Sequence, residues 1–487
     1  MTGIKQDTTE IAIVGAGPAG VSAAVTAARA GAKVTLVDES ASAGGQYYKQ
    51  PALAERDHKY PDSLASNIQQ GRELLAGLNH PGIDTQCNTL VWNVSAEELV
   101  LNLCGPTGAW ALEAERIIFS TGAYERVMPF PGWTLPGVIT AGGAQLMLKG
   151  QGLLPGRRFL LAGTGPLLQV AAVQLLEAGG DIAAIVELQS RIEFLRLASR
   201  LWGHWDKLGH GITNRKKLLQ AKVPFKYGHA IVCAQGEEEV SRAVIMKIDG
   251  DGHPLPGSET TLEVDTICLN YGFIPATELP GIAGCEQYFD YNFGAYATKI
   301  DENLETSVAG IFAAGETCGI GGADVALLEG QLAGAVAVRQ LGFDPEVDED
   351  VLHRKQLQAR TVAATLGKMF PVKPGLCALA GDDVPVCRCE GVSAGEVRTA
   401  IRMGVTQLNQ LKPWTRVGMG RCQGRICGEV LRQIVAHETG SDVQEILPFT
   451  PRAPVKPVLL EAVGGAVADA AELTWEDHIG GYGVART

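Results

Sequence analysis

Residues 10–38 read EIAIVGAGPAGVSAAVTAARAGAKVTLVD, an apolar run, a glycine turn, an alanine-rich helix and a second apolar run. That order is a βαβ unit. Gly15, Gly17 and Gly20 form G-x-G-x-x-G between strand and helix, and Asp38 closes the second strand. Each position has a physical reason. Gly15 permits the tight turn, Gly17 lets backbone approach a pyrophosphate, and Gly20 allows close helix–strand packing. Pro18 and Ala19 open the helix, whose N-terminal N–H groups attract phosphate. Asp38, with Glu39 beside it, is placed to accept hydrogen bonds from an adenosine ribose.

The pattern recurs. Residues 158–187, RFLLAGTGPLLQVAAVQLLEAGGDIAAIVE, repeat strand, turn, helix and strand, with Gly163 and Gly165 in place and Glu187 at the end. Leu168 stands at the third-glycine position, where bulk should push helix from strand. This second fold is therefore either vestigial or still binds NAD, ATP or another adenine nucleotide, with Glu187 as the ribose ligand. Between and after the two units, stretches such as 90–103 and 243–257 alternate like antiparallel hairpins.

The chain has 487 residues, which allows about three domains. Its 46% hydrophobic composition excludes a mostly disordered chain, and its formal charge of −13 makes nucleic acid a poor partner. The first residues carry no basic and apolar leader, and no apolar run reaches ~18 residues, so a cytoplasmic protein without a transmembrane segment is expected. The expected organisation is 8–150 with 285–345 as a first nucleotide domain, 151–284 as the second, 346–380 as a helical linker, 381–445 as a cysteine-bearing domain, and a Pro-rich tail at 446–487. These boundaries describe separate folding units. A Cys422→Ser change should then leave the nucleotide site intact.

Cys387 and Cys389 make C-x-C, and Cys422 and Cys427 follow as C-x-x-x-x-C. Four thiolates on two short loops suit zinc or an iron–sulfur cluster; the one-residue C-x-C disfavours structural zinc. Ser393 to Glu396 is a capping box directly after the first pair. The other cysteines are scattered, and none lies in 39–60 or 105–232, so a redox disulfide beside a flavin is missing. Trp202, His204, Trp205 and His210 form one local concentration, read as a helix face or an interface anchor.

Three further motifs carry a resemblance: Gly44-Gly45-Gln46, 117–132 (IIFSTGAYERVMPFPG, with Thr121 and Gly122) and 309–319 (AGIFAAGETCG, with Gly315 and Glu316). With GAGPAG they resemble the FAD signature of two-dinucleotide-domain flavoprotein reductases. Glu316 stands where that family usually has Asp. The cysteine segment resembles the bacterioferritin-associated ferredoxin domain, a helical [2Fe-2S] module, although that domain usually closes with C-x-x-C.

Together the motifs resemble the alpha subunit of heteromeric FAD-dependent opine oxidases, related to hydrogen cyanide synthase and to heteromeric proline, hydroxyproline and sarcosine dehydrogenase subunits. The resemblance implies an α/β fold of two Rossmann-like domains plus the helical iron–sulfur domain. It implies FAD and a [2Fe-2S] cluster, and it leaves room for FMN where subunits meet. The partners it implies are an amine-oxidase-like FAD subunit, a small ferredoxin-like subunit, and an external electron acceptor. No residue has the profile of a catalytic base, as an electron conduit requires. The alternatives are an NAD(P)H-dependent reductase and a non-redox assembly subunit holding zinc.

Overall fold

The computed structural model describes residues 5–52, 60–193 and 205–464; Trp202 and His204 lie outside them, as does the end of the tail. Strand β1 (Lys5–Val14) is the centre of the first sheet, flanked in parallel by β2 (Val34–Val37), with β3 (Ile83–Gln86) beyond. Helix α1 (Pro18–Arg29) connects β1 to β2. A parallel sheet covered on both faces needs near-continuous apolar strands, which is why IAIV and VTLV are fully or almost fully buried.

Strands β4 (Leu90–Ser95) and β5 (Val100–Gly105) form the expected antiparallel hairpin, which adds to β6 (Gly108–Phe119). β6 runs parallel to β1 on its other edge. Strand Ile311–Ala313 returns from far along the chain to pair with β6, and helix Ala323–Gln340 follows it onto this sheet.

After β6 the chain crosses through β7 (Ala123–Glu125) into a second sheet made of β8 (Val138–Thr140), β9 (Arg158–Gly163), β10 (Asp181–Glu187), β11 (Phe225–Tyr227) and a later strand, Thr266–Asn270. All neighbours in it are parallel. The 243–257 stretch is antiparallel, as its alternation suggests. Its strand, Arg242–Lys247, pairs with strands His229–Gln235 and Thr260–Glu263, and the GDGHP turn is held by the Ile248–Pro254 bridge and by Asp249 N donating to the His253 carbonyl at 3.0 Å.

Leu168 does not splay the second fold. It points into the core among Phe159, Leu161, Ala171 and Ile185, where its side chain is fully buried. Gly20 shows the tighter solution in the first fold: a Cβ there would sit 1.8 Å from the Gly15 carbonyl oxygen.

Helix Glu349–Met369 leads to a module of short helices, Ala394–Arg402, Leu408–Thr415 and Gly428–Thr439. This module packs directly on the second nucleotide fold. Phe130, Leu160, Val186, Ile231 and Ile245 of the second nucleotide fold share one continuous core with Val386, Val397, Leu411, Leu431 and Val435 of the module. The Trp133 indole also donates to the Pro385 carbonyl at 2.7 Å. Separating the two parts would uncover a large apolar area. The proline-bearing tail straps the module to the first sheet: Phe449 packs at Gly418 and Gly424, and the Val455 N–H donates to the Trp92 carbonyl.

Candidate functional site

The first glycine fingerprint opens onto a cavity of about 2380 Å³. Gly15, Gly17, Pro18, Ala19, Asp38, Glu39, Gly45, Gln46, Thr121, Gly122, Gly315 and Glu316 all line it. Gly20 does not; it serves packing. α1 begins at Gly17 with no side-chain cap and with Pro18 in its first turn. Its first N–H groups therefore remain available to an anion, the arrangement a dinucleotide pyrophosphate needs.

Asp38 braces the turn as well as the ribose position. Its carboxylate accepts from Ala16 N at 2.6 Å and from Ser40 N at 2.7 Å. The neighbouring Glu39 is more exposed and pairs with Lys456 of the tail. Glu316 is half-buried at the cavity wall. Burial pushes its carboxyl up, against the opposing pull of the Gly322 N–H and the Arg360 charge.

Glu329 belongs to no motif and shows in the sequence only as an interruption of an apolar run, yet it organises this wall. Its side chain is fully buried and accepts from Gly315 N at 2.9 Å and from Arg360 Nε and Nη2, both at 2.7 Å. Arg360 also donates to the Gly319 carbonyl at 2.6 Å. Burial alone would depress the Arg360 pKa, but the Glu329 carboxylate more than reverses this and raises it. The pair fixes the 315–319 loop against the cavity. The available signal was a lone carboxylate inside an apolar helix, which must find a partner.

Of the second fingerprint only Pro166 and Leu167 line this cavity; Gly163, Gly165 and Glu187 do not. Glu187 turns into its own loop, accepting from Thr164 Oγ1 at 2.7 Å, Gln189 N at 3.2 Å and Gly165 N at 3.2 Å. Burial is the largest influence on its carboxyl and pushes it up to about 7, although these hydrogen bonds oppose the shift. Leu168, Ile185, Phe225, Tyr227 and Phe370 close the space beside it, leaving about 10 Å³. Gln189 ties the connector down by donating to the Pro371 carbonyl. Gly163 and Gly165 keep the turn of the first fold, and Phe370, at the end of the connector, lies in the narrow space beside Glu187.

The four motif cysteines meet in the module as two pairs of touching thiols, Cys387 with Cys427 and Cys389 with Cys422. Cys387 and Cys427 are buried, Cys422 is half-buried and Cys389 exposed. The Cys427 thiol is the largest influence on Cys387 and, with backbone N–H groups of Gly418, Glu390 and Cys389, lowers its pKa to about 6. Such N–H groups favour thiolate over thiol.

Among the described residues no three His, Cys, Asp or Glu side chains converge as a single-ion site. Two pairs suit a two-iron cluster, in which each iron takes two thiolates, better than one tetrahedral ion. Gly420 makes the approach possible, since a Cβ there would lie 2.2 Å from the Cys389 Cβ.

Cluster loop and nucleotide cavity are joined by Arg425, which sits between Cys422 and Cys427 and lines the cavity. Its guanidinium donates to the Cys422 and Val455 carbonyls, both at 3.1 Å, and ion-pairs with Glu278 at 2.9 Å. Tyr124, Glu278 and Ile426 line the same wall.

These features define a class: an FAD-dependent oxidoreductase subunit of the two-dinucleotide-fold type carrying an iron–sulfur module. Residues 9–330 match the family described as pyridine nucleotide-disulphide oxidoreductase, and residues 385–437, which contain all four motif cysteines, match the BFD-like [2Fe-2S] binding domain. The chain is 35% identical to an opine oxidase subunit of Rhizobium meliloti (strain 1021), over 94% of this chain and 98% of that one. It is 30% identical to the hydrogen cyanide synthase subunit HcnB of Pseudomonas protegens, over 91% of this chain and 95% of the relative.

The chain belongs to the family of these flavoprotein subunits, and its relatives are named as parts of larger assemblies. The fold is also that of L-proline dehydrogenase from P. horikoshii, with a TM-score of 0.69 over 95% of this chain and 81% of that one, at 22% identity. The cofactors of the class are FAD and a [2Fe-2S] cluster. No helix among the described residues is long and apolar enough to cross a membrane.

Proposed function

We propose that this chain is the electron-relay subunit of a heteromeric dehydrogenase that oxidises the C–N bond of opines or related secondary amino acids. The substrate would be oxidised in a partner, an amine-oxidase-like FAD subunit. A small ferredoxin-like subunit or another acceptor would take the electrons onward. The substrate class rests on the names of the relatives that are opine oxidase subunits. One observation carries the relay: Arg425 lies in the loop between two cluster thiols and lines the nucleotide cavity.

FAD accepts electrons as a pair and gives them up singly, which lets it serve a one-electron cluster. The chain's own residues supply the housing. The Gly15–Gly20 turn and α1 would hold the pyrophosphate, Asp38 and Glu39 the ribose, and Gln46, Thr121, Gly315 and Glu316 the remainder. Cys387, Cys389, Cys422 and Cys427 would hold the iron. The narrow space of about 10 Å³ beside Glu187 speaks against a reductase fed by NAD(P)H.

The test is to express the chain with its partner subunits and add an opine anaerobically. The proposal expects a paramagnetic cluster signal with the opine and none with NADH. Flavin bleaching by NADH alone would overturn it.

A further inference from the structure

Among the cations that line the cavity and that the dinucleotide reading does not use, Lys149 is buried. Lys149, on the helix Ala141–Gln151, is 5% exposed and lines the cavity beside Tyr47. Its Nζ donates to the Tyr47 carbonyl at 3.2 Å and lies 5.6 Å from the Tyr47 ring centroid. No carboxylate among the described residues pairs with it. Burial is what lowers its pKa, to about 8.

An ammonium buried without a counter-charge is costly unless something negative comes to it. A second unmet polar group on the cavity asks for a donor rather than for charge. Asn67 lines the same cavity, and its buried Oδ1 has no hydrogen-bond partner. Gln145 and Gln174, also on this wall, satisfy each other at 2.6 Å, so they do not answer either need. There is also room: small-molecule sites usually occupy about 300–1,000 Å³, and this cavity is about 2380 Å³.

We propose that Lys149 is an anion-binding residue on the wall formed by its own helix and the helix Pro166–Glu177, and that it meets a delocalised negative charge brought into the cavity. Two sources carry that chemistry. One is the flavin ring, which gains negative charge on reduction; the other is a carboxylate or phosphate on a small molecule lying next to it. The inference rests on the assignment of FAD to this cavity, which bound-FAD content checks independently in each sample.

The experiment uses the full chain loaded with FAD and iron, as wild type, Lys149→Met and Lys149→Arg. Acetate and inorganic phosphate are titrated in while flavin absorbance is followed, and the flavin midpoint potential is measured in parallel. A tenfold or greater loss of anion affinity in Lys149→Met, retained in Lys149→Arg, supports the small-molecule source. A lower midpoint potential in Lys149→Met supports the flavin source, because a positive charge favours the reduced ring. If Lys149→Met keeps its FAD and changes neither quantity, the proposal is overturned. Folding is checked by Tm, which should hold or rise when an unpaired buried charge becomes apolar.

Discussion

The Arg425 guanidinium donates to the Tyr124 hydroxyl at 2.8 Å, across 301 positions of sequence. Tyr124 directly follows the STGA turn that lines the nucleotide cavity, and Arg425 belongs to the loop bearing two cluster cysteines. One side chain therefore registers the iron–sulfur module against the flavin domain.

Arg425→Met should leave Glu278 and Tyr124 without their partner. Breaking a largely buried pair costs about 3–5 kcal/mol. Arg425→Lys should rescue little, since a point charge cannot span four acceptors as a guanidinium does. Iron content and Tm are the readouts; full iron with an unchanged Tm in Arg425→Met would refute this.

Glu329→Gln should strand the Arg360 charge and release the loop that begins at Gly315. A loss of about 3–5 kcal/mol and weaker FAD retention on gel filtration are expected. Replacing both Glu329 and Arg360 with Met should cost less stability than the single change, because no buried charge remains. A double variant worse than Glu329→Gln would contradict the reading.

Stability should also report Glu187. Its folded pKa is raised from the usual 4.5 to about 7, so between these values the folded chain binds more protons than the unfolded one. Stability from this group is present in full below about pH 4.5 and falls as pH climbs toward 7, by roughly 3 kcal/mol at ~1.4 kcal/mol per unit. Glu187→Gln should flatten that slope in a Tm-versus-pH series. An identical slope in both proteins would remove the assignment.

Much of this was legible in the chain. GAGPAG with Asp38, the STGA strand and the four cysteines are local patterns, and their spacing carries their chemistry. What stayed hidden depends on long-range packing. Nothing in the 158–187 repeat announces that Phe370, nearly 200 residues on, fills the space beside Glu187. Glu329 needed Arg360, and the module needed Phe130 and Trp133 beneath it, before their roles could be read.

The shared core alters what cysteine changes should do. Cys387→Ser, at a buried position in that core, should lower Tm and loosen the second nucleotide fold as well as abolish iron binding. Cys389→Ser, at an exposed position, should lose the cluster with a smaller fall in Tm. Equal effects on Tm would count against a common core.

The most direct test of a flavin and a two-iron cluster in one chain is an anaerobic dithionite titration of the iron-replete, FAD-loaded protein, followed by absorbance and paramagnetic resonance. About three electron equivalents per chain should be taken up, a pair by the flavin and one by the cluster, with a paramagnetic signal at the end. Uptake of only about two equivalents, with no signal, would contradict the account.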